Sequence, residues 1–207
     1  MVRVYAPALS VDASGTLAKS MVFSKWKGRN YVRKHVNPSQ PRTSSQIGVR
    51  RMFSFLAKIW ASISTANKAT WLVLAKQMNV SEFNAFMKYN QQRWRNFLGP
   101  TKVDPATEAS GAASVPTSAV TVGIRQLTIA LTHGATPPDW GYMIFRGLTG
   151  FMPAFSNCVY VGPFTAATDM TWVDTPLVPG TYYYRARGFN VDGKLGTLEA
   201  EFSGTVV

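Results

Sequence analysis

Leu177-Val-Pro-Gly-Thr-Tyr-Tyr-Tyr-Arg-Ala-Arg-Gly-Phe-Asn190 is the stretch whose reading decides the fold. Pro179-Gly180 is a turn signal, since proline presets one backbone angle and glycine takes conformations closed to other residues. The aromatic-rich run over 181–189 reads as a strand, and Asp192-Gly193 supplies the next turn. The same rhythm extends back through the chain. Strands are expected at 120–122, 126–132, 142–146, 159–161, 170–174, 181–189 and 197–206, separated by Gly134, Pro137-Pro138, Gly150, Pro153, Gly162-Pro163 and Pro176. Seven short strands in about ninety residues are the signature of an antiparallel sandwich.

Met170-Thr-Trp-Val-Asp-Thr, the Leu177-Val-Pro-Gly180 turn, the tyrosine run and Asn190-Val-Asp-Gly193 together resemble the second half of a fibronectin type III domain, an immunoglobulin-like sandwich. The resemblance implies that Tyr182 makes the tyrosine corner. It also implies that Tyr184 and Ala186 continue the inward face and that Trp172 fills an apolar position. It says little about function, because this domain serves as a generic spacer and display module.

The first hundred residues have a different pattern. The run from Gly15 to Trp26, then Lys27-Gly28, then the alternating Arg29-Asn-Tyr-Val-Arg-Lys-His-Val36 predicts a β-hairpin with a basic rim. Thr43 or Ser44, Ser64 or Thr65, and Ser81 can each cap a helix. The expected apolar stripes are Met52, Phe53, Leu56, Ile59, Trp60 and Ile63; then Ala69, Leu72 and Val73; then Phe83, Phe86, Met87, Trp94, Phe97 and Leu98. Met52, Phe53, Phe55 and Trp60 at this spacing are expected in a core, and Arg93 and Arg95 on a solvated face. Gly99-Pro100 stops the third helix, and the Pro, Ala, Ser and Thr content of 99–118 predicts a linker. The expected fold is therefore α+β in two domains. Residues 1–98 form a hairpin plus three helices, and residues 119–207 form an all-β fibronectin type III sandwich that completes its own core.

Charge follows the same division. Residues 1–100 hold sixteen of the 22 Lys and Arg against Asp12 and Glu82 alone, a net +14, and residues 101–207 net −2. Such an excess is an argument about partners rather than fold, because a basic surface attracts polyanions and acidic protein faces. Lys25, Lys27, Arg29, Arg33, Lys34, Arg42, Arg50 and Arg51 form the expected docking patch, with Trp26 and Tyr31 interleaved as stacking positions. Cys158 is the single cysteine, so no intrachain disulfide forms. The first ten residues hold no apolar run of signal-peptide length, and no stretch approaches the roughly 18 apolar residues of a membrane span. A soluble protein with no membrane partner is expected.

No catalytic constellation is legible. His35 and His133 lie far apart, and Cys, His and carboxylates do not cluster at metal-ligand spacing. Gly147-Leu-Thr-Gly150 lacks the lysine and helix of a phosphate loop. The expectation is a non-enzyme without metal or cofactor. Gly15-Thr-Leu-Ala-x-Ser-x-Val-Phe-Ser-x-Trp-Lys-Gly-Arg-x-Tyr-Val-Arg33, with the Asn37-Pro to Thr43 stretch, resembles the opening of small uncharacterised proteins from phage structural gene regions. A basic domain joined to an immunoglobulin-like one is also the build of several capsid-decorating and head-fibre proteins. The resemblance implies a phage virion structural protein, a capsid decoration, head-fibre or neck/tail accessory. It would be made in the host cytoplasm, with the basic domain docked to an acidic capsid or neck surface and the sandwich outward. A nucleic-acid-binding protein and a glycan-binding adhesin are the alternatives, and homo-oligomerisation stays open.

Overall fold

The computed structural model describes residues 15–17, 20–26, 29–37, 43–164 and 170–207. The chain divides into two compact units, Met1–Pro41 and Arg42–Val207. This is not the division expected from composition: the three helices belong with the sandwich, and the two units divide between Pro41 and Arg42 rather than at 99–118. The Lys27 and Arg42 positions of the docking patch lie outside the described residues.

The first unit is an antiparallel sheet of β1 (Gly15–Leu17), β2 (Met21–Trp26) and β3 (Arg29–Lys34), in that order. The β2–β3 pair is the expected hairpin, with Ser24 opposite Tyr31 and Val22 opposite Arg33. The long first run is broken near Ser20, whose carbonyl accepts from the His35 N–H at 2.7 Å, and its front part folds back as β1. None of the side chains described in this sheet is buried.

The second unit opens with α1 (Ser44–Ser62), α2 (Thr65–Met78) and α3 (Glu82–Arg95). Thr43, Ser64 and Ser81 cap them, each hydroxyl accepting from a backbone N–H of the first turn at 3.3–3.4 Å. The faces depart from expectation in two helices. In α1 Phe55 is buried as expected but Phe53 is exposed; in α2, Trp71 and Ala75 are buried, and Leu72 and Val73 are not. One indole outweighs the milder stripe beside it, because it buries more apolar area. In α3, Phe86, Met87 and Trp94 are buried with Asn90, whereas Phe97 and Leu98 stay exposed past the helix end.

The sandwich follows as β4 (Thr117–Gly123), β5 (Gln126–Thr132), β6 (Gly141–Gly147), β7 (Cys158–Pro163), β8 (Met170–Asp174), β9 (Gly180–Phe189) and β10 (Phe202–Val206). One sheet has the order β4-β5-β8 and the other β10-β9-β6-β7, every pair antiparallel. Three strands facing four in this order is the fibronectin type III arrangement. Between the sheets lie Leu127, Ile129, Leu131, Tyr142, Ile144, Trp172, Tyr184 and Ala186. Tyr182 Oη donates to the Val178 carbonyl at 2.9 Å, tying β9 to the turn before it.

The four-stranded sheet is buried on its other face too. Met143 and Phe145 of β6, Val161 of β7 and Phe189 of β9 share a second core with Met52, Phe55, Leu56, Phe86 and Trp94 of the helices. Phe55 meets Trp140 and Phe189 edge-to-face at 5.5 and 5.4 Å. The sandwich therefore fills the space between its sheets with its own residues, while the outer face of its four-stranded sheet is covered by the helices. Gly48 makes the close approach of α1 feasible: a Cβ there would stand 2.7 Å from the Cys158 carbonyl oxygen and 2.8 Å from that of Phe155.

The expected linker is a strap. Asn90 Nδ2 donates to the Thr101 carbonyl at 3.0 Å, and its Oδ1 accepts from the Thr101 N–H at 2.6 Å. Trp71 Nε1 donates to the Lys102 carbonyl. The Asp192 carboxylate accepts from the Ser110 amide and hydroxyl. Arg93, expected on a solvated face, donates to the Gly99 carbonyl at 2.8 Å and pairs with Glu108.

Candidate functional site

The structure distributes the expected docking patch over both units. Residues 1–41 and 42–207 each carry a net charge of +6, so the positive excess is not confined to one folding unit. Arg33, Lys34 and Tyr31 project from β3 and are exposed, with Tyr31 41% and Val32 55% accessible. Lys25, Trp26 and Arg29 are described only as strand positions at the β2–β3 end, where Lys25 pairs with Asn30 and Trp26 with Arg29. Arg50 and Arg51 stand on α1, in the other unit, and both are exposed.

Around those two arginines the second unit forms a groove of about 480 Å³ between α1 and β8. Ile47, Arg50, Arg51 and Ser54 make one wall; Trp172, Val173, Asp174 and Thr175 make the other; Val159 and Arg146 complete the lining. Arg51 and Ser54 also border a smaller cleft of about 170 Å³ that reaches Lys58. Ile47, Arg51, Ser54 and Lys58 are spaced by four, three and four, which aligns them on one helix face.

The groove is held by a connected set of side chains. Tyr160 stacks on Trp172 at 5.2 Å between ring centres, and the Arg51 guanidinium lies 5.9 Å from the Tyr160 ring. That geometry suits a cation–π contact, which restrains a long side chain that is otherwise free. Across the groove Arg146 Nη1 pairs with Asp174 Oδ2 at 2.6 Å. The Tyr184 hydroxyl donates to the same oxygen at 2.9 Å. Burial, and then the Asp174 charge, raises the Tyr184 hydroxyl above its ordinary range, so it remains a donor. Asp174 is thus held by both Arg146 and Tyr184.

Arg50 and Arg51 were in the expected patch, but Arg146, Ser54, Lys58 and Tyr160 were not. The register of α1 alone could have added Ser54 and Lys58. Bringing Arg146 and Tyr160 to them requires the packing of the helix on the sheet.

The other reactive groups do not converge. Cys158 is buried between the sheet and α1, and burial pushes its thiol up to about 12, so it remains protonated. His133 is exposed, with Nδ1 2.9 Å from the Gly134 carbonyl, and His35 lies in the other unit. Among the described residues no group of three or more His, Cys, Asp or Glu could hold a metal ion, and no helix is long and apolar enough to cross a membrane.

No protein-family model matches the chain, and no curated protein does. Solved structures similar to part of it include the β-1,2-glucanase from Parabacteroides distasonis, at 16% identity over 47% of this chain and 13% of that one, TM-score 0.37. The chicken interferon gamma receptor alpha chain is 14% identical over 48% and 53%, TM-score 0.36. The fibronectin type III domain of human fibronectin type III domain containing protein 3 is 15% identical over 47% and 89%, TM-score 0.34. The chain thus spans about an eighth of the glucanase and about half of the receptor.

Proposed function

We propose that this chain is a non-enzymatic phage virion structural protein, a capsid decoration, head-fibre or neck/tail accessory. The basic sheet of residues 1–41 docks to an acidic surface of the particle, and the helix-backed sandwich is carried outward. The observation that carries this reading is the composition of the small sheet's surface. Met21, Tyr31, Val32 and Val36 are exposed beside Arg33 and Lys34, and none of the side chains described in β1–β3 is buried. A sheet of three short strands is marginal without a packed face, so a partner that covers its apolar side chains and matches its charge would stabilise it. The phage setting comes from the resemblance of residues 15–33.

Mass spectrometry of purified particles should find the chain at defined copy number. Charge reversal at Arg33 and Lys34 should release it, and added salt should do the same to the unaltered protein. Particles without the chain, or attachment indifferent to both changes, would overturn the reading.

A further inference from the structure

We infer that the pocket between the end of α3 and the outer face of the four-stranded sheet binds a small aliphatic acid, with the Arg187 guanidinium as the counter-ion of its carboxylate. The inference goes beyond the virion reading and does not depend on it, since every lining residue lies within residues 42–207.

Three observations converge there. First, the walls are apolar. Trp94, Phe97 and Leu98 come from the end of α3, Phe145 from β6, Phe155 from just before β7 and Leu195 from just after β9. Among the described residues that line it, Arg187 of β9 alone is charged. Second, this guanidinium is short of partners. Its Nε and Nη2 both donate to the Gly196 carbonyl, at 3.3 and 2.9 Å, and Nη1 has no acceptor among the described residues. Burial lowers its pKa from the ordinary value, as expected of a charge drawn from water without a counter-charge, although an arginine stays protonated. Arg185, two residues back on the same face of β9, rests against the Phe151 ring, and its buried Nε also lacks an acceptor. The carboxylates of this region are engaged elsewhere: Glu108 with Arg93, and Glu201 with the Gly150 amide and the Thr149 hydroxyl. Of the acids outside the described residues, Asp12 belongs to the other unit, and Asp169 immediately precedes β8, a strand of the opposite sheet. Third, part of the apolar wall is open to solvent: Phe97 is 57% and Leu98 41% accessible. Phe97 holds a φ of 61°, a left-handed conformation that bulky residues rarely adopt, and this sets its ring against the pocket.

An aliphatic carboxylate satisfies all three at once. The pocket has about 310 Å³ of open space, within which the centre of a water has only about 30 Å³ to move. A slot this narrow takes a chain of a few carbons and is too tight for a sugar ring or a nucleobase. The planar fork of arginine matches a carboxylate through two parallel hydrogen bonds, and apolar walls that exclude water strengthen the pairing. Inorganic phosphate could meet the guanidinium but would leave those walls uncovered.

The test uses the full-length protein and sodium hexanoate, titrated while the proton relaxation of the ligand is followed by NMR. Saturable binding is expected, with a dissociation constant on the order of 1 mM or tighter for a ligand of so few atoms. Hexanol and hexylamine, which keep the chain and lose the carboxylate, should bind at least about tenfold more weakly. Arg187→Gln should weaken hexanoate by about tenfold or more. Because Arg187 also holds the Gly196 carbonyl, Phe97→Asn is the second variant. Asparagine accepts the left-handed backbone, so the melting temperature should not fall, while loss of the apolar wall weakens hexanoate by about threefold or more. Acetyl-Gly-Gly-Leu-Leu and its C-terminal amide identify the source of the acid. Tighter binding by the peptide than by hexanoate, lost in the amide, assigns a polypeptide C-terminus, and the reverse order assigns a free acid. No saturable binding by either acid, equal binding by hexanol, or hexanoate affinity unchanged in both variants would overturn the proposal. So would inorganic phosphate that displaces hexanoate and binds more tightly. None of these results bears on particle attachment through Arg33 and Lys34, so the two readings fail separately.

Discussion

Replacing Asn90 with alanine tests whether residues 99–118 are a strap or a tether. Asn90 and Thr101 are fully buried, and the carboxamide satisfies both backbone groups of Thr101. Truncation leaves that N–H and C=O without their partner in a site closed to bulk water. Each buried polar group deprived of its bond costs about 1–3 kcal/mol, because its desolvation is no longer compensated. A water entering the space left by the carboxamide would recover part of this, so a loss of about 2–4 kcal/mol is expected. Urea unfolding followed by tryptophan fluorescence should show the midpoint falling by about 1–2 M, given a slope of about 1–3 kcal/mol per M. Limited proteolysis should then open between Gly99 and Pro116, a stretch expected to resist cleavage in the unaltered protein. A stability change below about 1 kcal/mol, with the segment still protected, would refute the strap.

Three further outcomes are expected. Gly48→Ala should gain about 1 kcal/mol of helix propensity but drive a methyl into two backbone carbonyls. A net loss of about 1–3 kcal/mol follows from overpacking, read as a lowered melting temperature, and a raised one would refute the close approach. Tyr182→Phe should cost about 1 kcal/mol if the bond to Val178 contributes, and unchanged stability would show that it does not. Glu199 is buried, its Oε1 accepting from the Ser118 N–H at 2.9 Å, and burial raises its carboxyl above the ordinary 4.5 despite that bond. The folded protein then holds this proton more tightly than the unfolded chain. The contribution is most favourable below 4.5 and declines as pH rises through the raised folded value. Urea titrations across that window should show Glu199→Gln losing this decline, and parallel curves for the two proteins would count against it.

The sandwich was legible because its strands announce themselves through turn chemistry: Pro179-Gly180, Gly162-Pro163 and Asp192-Gly193 all lie at or just beyond strand ends. Helix starts were equally plain, since Thr43, Ser64 and Ser81 act within one turn of sequence. The unit boundary was not. Tyr142-Met-Ile-Phe145 is an unbroken apolar run, the mark of a strand covered on both faces. Its meaning depends on helices that precede it by some distance in the chain. The strap was misread for a related reason: Pro, Ala, Ser and Thr are typical of tethers, and nothing local reveals that Asn90 and Asp192 will bind their backbone. The candidate groove was half visible, through Arg50 and Arg51, while Arg146 and Trp172 arrive by tertiary packing alone.

The double-sided burial of β6 bears on how the protein is made. α1 leaves the ribosome well before β6 and β9, yet Phe55 finds its ring partners Trp140 and Phe189 only when those strands exist. At roughly 5–20 residues per second of synthesis, the helices wait for seconds with Met52, Phe55 and Trp94 uncovered. Contacts so distant in sequence also slow folding once the chain is complete. Nascent chains arrested before Gly180 should therefore be cut by protease throughout the helices, and protected helices at that length would contradict the shared core. The order of elements thus leaves apolar helix surface waiting, during synthesis, for a strand that the ribosome delivers late.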